Sequence, residues 1–216
     1  NNNTAVGFEA MEVNTTGYSN VAVGYEALHS NTTGHRSVAL GIESLRLNTE
    51  GFYNVAVGTY ALDANTTGDN NVAVGMHSCG GNTTADNNTA VGHFALMTNT
   101  TGTENVAVGA YALDALTTAN HTTAIGYNAL SNNTTGTQNT AVGRSALLAN
   151  VTGNNNTALG FNALILSTGS SNTGLGTSVL QSNTSGNDNT ATGRNSLAAN
   201  TTGGQNTAVG ALALDS

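Results

Sequence analysis

A 17-residue period runs through the whole chain. The glycine that closes each Ala-Val-Gly triplet falls at positions 7, 24, 41, 58, 75, 92, 109, 126, 143, 160, 176, 193 and 210, and every step is 17 residues except the 16 from Gly160 to Gly176. The thirteen units share the pattern N-[TV]-A-V-G-x-x-A-L-x-x-N-T-T-G-x-x. A unit this short cannot enclose its own apolar groups, so it has to bury them against its neighbours, and a strict period then becomes a stack of similar coils.

Within one unit, Asn20-Val21-Ala22-Val23-Gly24 reads as a short extended run and Ala27-Leu28 as a second apolar pair. Asn31-Thr32-Thr33-Gly34 supplies turn chemistry, since Asn and Thr side chains bond nearby backbone and Gly accepts positive φ. The expected coil therefore has two short extended runs and two turns. A helix is excluded, because Gly and Thr interrupt every window of helical length and nothing recurs at a spacing of 3.6. Residues 1–216 form one continuous array, expected to be an all-β parallel β-solenoid or β-roll of thirteen coils. At about 4.8 Å per coil the rod would be about 60 Å long.

Equivalent positions define columns of side chains. Four residues after the glycine, Met11, Leu28, Leu45, Leu62, Cys79, Leu96, Leu113, Leu130, Leu147, Leu164, Leu180, Leu197 and Leu214 form the expected core, with Cys79 as a small apolar replacement. Two residues before the glycine stands Ala in every unit except for Gly174, which suits a cramped interior. The residue between them, as in Val23, is apolar except for Thr192, and Val21, Val38, Val55, Val72 and Val106 lie two places earlier. Neighbours on a strand face opposite sides, so the valines predict a second apolar face and an oligomer of parallel copies that buries it. The competing expectation is a bend that brings both columns into one monomer's core.

Composition removes several functions. Charged residues are 7% of the chain, and there is no Pro. Disorder fits poorly all the same, because Val, Leu and Ala recur at fixed places. The net charge is −8, and the only cations besides histidine are Arg36, Arg46, Arg144 and Arg194, which argues against nucleic acid, whose phosphates are met by clustered Lys and Arg. One cysteine excludes an internal disulfide framework. No apolar run is long enough to cross a bilayer, so no membrane insertion is expected in this segment. Both ends look like ordinary repeats, as expected for a piece of a longer fibre.

Chemistry-bearing residues do not converge. His29, His35, His77, His93 and His121 fall in different columns, His77 and Cys79 are too few for a metal site, and no acid-bearing nonapeptide suggests calcium. Asp69, Asp86 and Asp188 read as solvated surface, and the glycines follow the coil period rather than a nucleotide-binding pattern. No catalytic, cofactor or metal residues are expected, and the chain reads as a non-enzyme. Phe8, Tyr25, Tyr127 and Phe161, with Tyr60, Phe94 and Tyr111 one place later, are either stacking surfaces for sugars or a partly buried cover on the turn. Triplets such as Asn14-Thr15-Thr16, Asn65-Thr66-Thr67 and Asn99-Thr100-Thr101 are nominal glycosylation acceptors, although the turn itself calls for Asn and Thr.

Ser37-Val38-Ala39-Leu40-Gly41 and Asn54-Val55-Ala56-Val57-Gly58 resemble the S-V-A-I-G units in the head repeats of trimeric autotransporter adhesins, and the resemblance spans the chain. It implies a left-handed parallel β-roll, trimerised along its length, displayed outside the cell and used for attachment. The chain departs from that family in its longer period, by the N-T-T-G segment, and these 216 residues include no coiled-coil stalk or membrane anchor. Similar arrays also look like the shafts of phage and virus tail fibres. The leading expectation is thus an extracellular fibre or adhesin shaft on a cell or virion surface, with itself as partner in a homotrimer and cell-surface glycans or extracellular matrix as ligands. Two others stand beside it. One is an ice-binding solenoid that uses Thr15, Thr32, Thr66, Thr83, Thr100, Thr117, Thr134 and Thr201 as stacked hydroxyl ladders, and the other is a self-assembling filament subunit.

Overall fold

The computed structural model describes residues 2–215. Thirteen three-residue strands, the first Thr4–Val6 and the last Thr207–Val209, form a single sheet in sequence order. Every neighbouring pair is parallel, and equivalent residues face each other, as in Ala22 opposite Ala39 and Ala56 opposite Ala73. No helix occurs among the described residues. The period makes this register compulsory, because a slip of one residue would turn each alanine outward and each valine inward. The expected all-β parallel solenoid is the fold observed.

Each coil carries one strand, not the two extended runs expected. After Gly24 the chain turns continuously from Tyr25 to Ser30, and Glu26 and Leu28 both adopt left-handed backbone with φ of 50° and 52°. The turn is still bonded to its neighbours. The Glu26 N–H donates to Phe8 O at 2.9 Å in the preceding coil, whereas Leu28 and Ser30 donate to Ser44 O and Arg46 O in the following one, both at 3.0 Å. Left-handed backbone costs an ordinary residue about 1 kcal/mol. Full burial of Leu28 outweighs that, at about 2 kcal/mol.

Ala22, Ala27 and Leu28 meet inside the coil, fully buried, and their columns build one continuous core. Cys79 sits in the leucine column, fully buried, as expected. Val21 and Val23 point out of the strand, the first half-buried and the second exposed. The strand does not bend, and only the alanine column enters the core.

The rest of the interior is amide. Asn65 is fully buried, and its side-chain nitrogen donates to Asn48 Oδ1 at 2.8 Å and to Gly68 O at 3.0 Å. Asn31, Asn48, Asn82 and Asn150 repeat this two-bond pattern. A second column, asparagine except for Ser37 and Thr122, closes the coils. Asn54 Nδ2 donates to the same Gly68 O at 2.7 Å, and Asn54 Oδ1 accepts the Asn71 N–H at 2.9 Å. One inward carbonyl is thereby saturated by two amides, which is how a polar interior avoids the cost of unpaired groups. The Asn-Thr-Thr-Gly segment does bond its own backbone, but its asparagine faces the core.

Gly34 also departs from expectation. Positive φ belongs to the glycine after the strand and to positions such as Arg36 at 56°, while Gly34 keeps ordinary backbone. Its column is glycine for space, packed against the asparagine ladder. Two coils accept alanine there, Ala85 and Ala119, both buried.

Two substitutions interrupt the ladder. Leu116, fully buried, takes an asparagine position, and Asn99 Oδ1 turns back to accept the Gly102 N–H at 3.1 Å. In the 16-residue coil the missing residue is the second threonine, so that Ser167, Thr168 and Gly169 follow directly, and Ser167 stands in the asparagine column. Ser167 Oγ accepts from Asn183 at 3.2 Å, but Asn150 Oδ1 is left buried without a partner. Ser167→Asn supplies that donor and is expected to stabilise the rod by about 1 kcal/mol. Thermal unfolding should show a midpoint higher by about 2–4 °C, and an unchanged or lowered midpoint would contradict the ladder account.

Candidate functional surfaces

A coil has few outward positions, and stacking repeats each of them along the rod. Outside the strands lies an apolar strip in which Val23 is 38% exposed, Leu40 37%, Val74 36%, Ile125 40% and Leu159 48%. It runs the length of the sheet with one interruption at Thr192, because the strands that carry it pair in register from first to last.

The threonine pairs divide their roles. The first hydroxyl lies along the rod axis and donates to a carbonyl of the next coil, as in Thr32 Oγ1 to Thr49 O at 2.9 Å and Thr66 Oγ1 to Thr83 O at 3.0 Å. The second threonine is exposed, in an unbroken run of Thr67, Thr84, Thr101, Thr118, Thr135 and Thr152. All the residues expected in an ice-facing ladder except Thr201 thus have hydroxyl hydrogens that already bridge coils.

The aromatic residues form short stacks. Phe8, Tyr25, Tyr127 and Phe161 are exposed, and Phe8 stacks on Tyr25 with centroids 5.4 Å apart. Half-buried Tyr60, His77 and Phe94 stack on successive coils, with centroids 4.8 and 5.3 Å apart, and Tyr111 in the next coil packs tilted against Phe94 at 5.6 Å. Elsewhere Tyr18, His35 and Phe52 stack at 4.7 and 5.0 Å, with the Arg36 guanidinium over Tyr18 and bonded to Tyr53 Oη at 2.7 Å. Histidines that fall in separate columns thus complete ladders begun by Tyr and Phe, which requires only that a flat ring occupy the next coil.

Ionisable groups are dispersed. His29 Nε2 lies 3.0 Å from Glu12 Oε2 and 3.8 Å from Glu9 Oε2. Column reading missed this trio because its members come from two coils and two columns. Their ligand atoms are within 4.8 Å of one another, close enough to hold a cation, and the imidazole–carboxylate contacts account for the grouping without one. His121 Nδ1 pairs with Glu104 at 2.9 Å, and burial pushes the Cys79 thiol up to about 12, so it is inert as a nucleophile.

Two aspartates expected on the solvated surface are structural. Asp69 Oδ1 accepts the Phe52 N–H at 2.9 Å and Asp86 Oδ1 accepts the Asp69 N–H at 2.7 Å, both from half-buried positions. Burial, and then the neighbouring Asp86 carboxylate, raise the Asp69 carboxyl above the usual range, against the bond from Phe52. Asp188 is exposed as expected.

The nominal glycosylation acceptors inside the array lose their meaning in the folded rod, whereas Asn14 in the first coil is half-buried and donates to Gly17 O alone. Asn65 and Asn99 are fully buried, and each Nδ2 makes two bonds, to Asn48 and Gly68 or to Asn82 and Gly102. A sugar on that nitrogen would replace a ladder hydrogen, so these triplets are coil-forming sequence.

Among the described residues, no helix is long and apolar enough to cross a membrane. No protein-family model, curated protein or solved structure matches this chain, and the architecture that can be stated for it is that of a β-solenoid repeat protein.

Proposed function

We propose that this chain is a non-catalytic shaft segment of an extracellular fibre on a cell or virion surface, and that parallel copies pack as a homotrimer along the strand face. The observation that carries the reading is the apolar strip. The residue before each glycine makes an apolar line about 60 Å long, interrupted at Thr192 and widened by Val21, Val38, Val55, Val72 and Val106 where the other strands carry Thr, and an exposed apolar run of this kind on a soluble protein is often functional. A straight strip along a rod is matched by the same strip on a parallel copy, and three copies bury it around a shared axis. The resemblance of Asn54-Val55-Ala56-Val57-Gly58 to adhesin head units supports the same arrangement. Stacked coils repeat one group many times instead of assembling several, which is the wrong geometry for catalysis and a suitable one for reach and attachment to glycans or matrix.

Light scattering on the purified chain should give three times the 21.6 kDa of one chain. Val23→Glu, Val57→Glu and Val91→Glu together place charges on the strip without touching the core, and should give a monomer with unchanged far-UV circular dichroism. A wild-type chain that is monomeric at high concentration overturns the trimer.

A further inference from the structure

In an array of like coils, a specific site can arise only where a coil departs from the pattern, and the departures cluster in the fifth coil. There Cys79 replaces leucine, Ala85 replaces glycine, and Gly80 and Gly81 occupy two columns in which the other described coils all carry a side chain. Neither glycine has positive φ, so the backbone does not demand them. Their effect is to remove volume. The result is a notch of about 300 Å³ lined by Asp63, His77, Gly80, Gly81, Met97 and Thr98.

The notch has a defined chemistry. A Cβ on Gly80 would lie 3.2 Å from Asp63 Oδ1, and one on Gly81 would lie 2.8 Å from Met97 O, so the floor is bare backbone between a carboxylate on one side and Met97 on the other. The Gly80 and Gly81 N–H groups are already given to His77 O and Met97 O at 3.3 and 2.7 Å. The Thr98 hydroxyl is likewise given to Asp114 O and Leu116 O at 2.6 and 3.0 Å. What remains for a ligand is the half-buried Asp63 carboxylate, the His77 ring edge and the 37%-exposed Met97 thioether. An acceptor beside apolar surface fits a molecule that carries hydroxyl donors on one side and C–H groups on the other. Hydroxyl–carboxylate bonds are charge-assisted and strong, and partial burial of Asp63 excludes competing water. A small cation would use the carboxylate but leave Met97 and the ring edge uncovered.

We propose that this notch is a subsite for one neutral saccharide ring, held by Asp63 through its hydroxyls and by Met97 and the His77 edge through its C–H face. The notch lies off the strand face, so the proposal is independent of trimer formation and of its light-scattering test. Glucose, galactose and N-acetylglucosamine are titrated separately into the isotope-labelled 216-residue chain to about 50 mM, well above a millimolar Kd, while backbone amide resonances are followed. At least one sugar should shift Gly80, Gly81, Met97 and Thr98 and leave distant coils unmoved. Asp63→Asn keeps the shape and should weaken binding about tenfold, and Gly80→Leu, a residue type found in that column at Leu148, should abolish it. The proposal fails if none of the three sugars moves these amides, or if the shifts survive in Asp63→Asn at full strength. It also fails if methylammonium moves the same amides where the sugars do not, which would make the notch a cation site.

Discussion

Asn65→Asp is expected to destabilise the rod by at least about 4 kcal/mol at neutral pH, although it changes a single NH₂ group to oxygen. The wild-type side chain donates to Asn48 Oδ1 and to Gly68 O, and both are acceptors. An aspartate there loses two bonds, leaves the buried Asn48 Oδ1 unpaired at about 1–3 kcal/mol and Gly68 O with its Asn54 bond alone, and adds a charge where no cation can reach. The expected pH dependence follows from the sign of the shift. Burial holds the new carboxyl's folded pKa above the about 3.9 of an exposed aspartate, so its charge penalty is absent below that value and grows as pH rises towards the folded pKa. Asn65→Ala loses the same bonds without the charge. It should cost about 2 kcal/mol at every pH, and chemical denaturation at pH 3.5 and 7.5 separates the two. Equal, pH-independent losses in both variants would show that the column is not a dry amide ladder.

Gly58→Ala should be nearly as damaging, at about 3 kcal/mol or more. Gly58 has φ of 136°, and a Cβ built there lies 2.6 Å from Gly75 O and 2.7 Å from its carbonyl carbon. Both atoms belong to the backbone of the next coil, which cannot give way without opening the stack. Gly68→Ala provides the contrast. That glycine also packs tightly, but its backbone is ordinary, and Ala85 and Ala119 show that a methyl group can be accommodated in the same column. Its cost should be no more than half that of Gly58→Ala. Comparable urea midpoints for the two variants would remove the distinction between a conformational and a spatial glycine.

The behaviour of both variants follows from the one-dimensional build of the molecule. Each coil contacts its neighbours alone, so a fault in one coil weakens two interfaces while distant coils keep their own contacts. For the same reason the bond that matters to Asn65 comes from Asn48, 17 residues away, and no inspection of the local Asn-Thr-Thr-Gly segment reveals it.

This separates what was legible in the residues from what was not. The column of Ala22, Ala39 and Ala56 next to Val23, Leu40 and Val57 pointed to one set inward and the other outward, with a bend that buries both as the competing arrangement, and the burial of the alanines alone decided between them. The leucine column was likewise identifiable as core. Its backbone was not. Leu28 and its equivalents were expected in extended chain and instead lie at φ near 52°, a conformation that leucine avoids unless burial in the stack compensates. Turn chemistry misled in a related way, since Asn31 forms the same local bond to Gly34 O whether it faces solvent or core, and the Asn14 and Asn48 amides above and below it decide which. Asp69 and Asp86 read as surface for want of the same knowledge of the adjacent coil. Gly80 and Gly81 were unremarkable glycines in the sequence, and they become the floor of a cavity only with Asp63 and Met97 set on either side.

The sequence by itself determined the stack and its register, because a strict 17-residue period leaves parallel in-register pairing as the arrangement that buries like against like. Only the tertiary structure decided that the other half of the interior is a hydrogen-bonded column of asparagines and that a leucine closes each turn in left-handed backbone. In both cases the stabilising partner belongs to the next coil, where the free energy of burial and of paired amides exceeds what the local chain prefers.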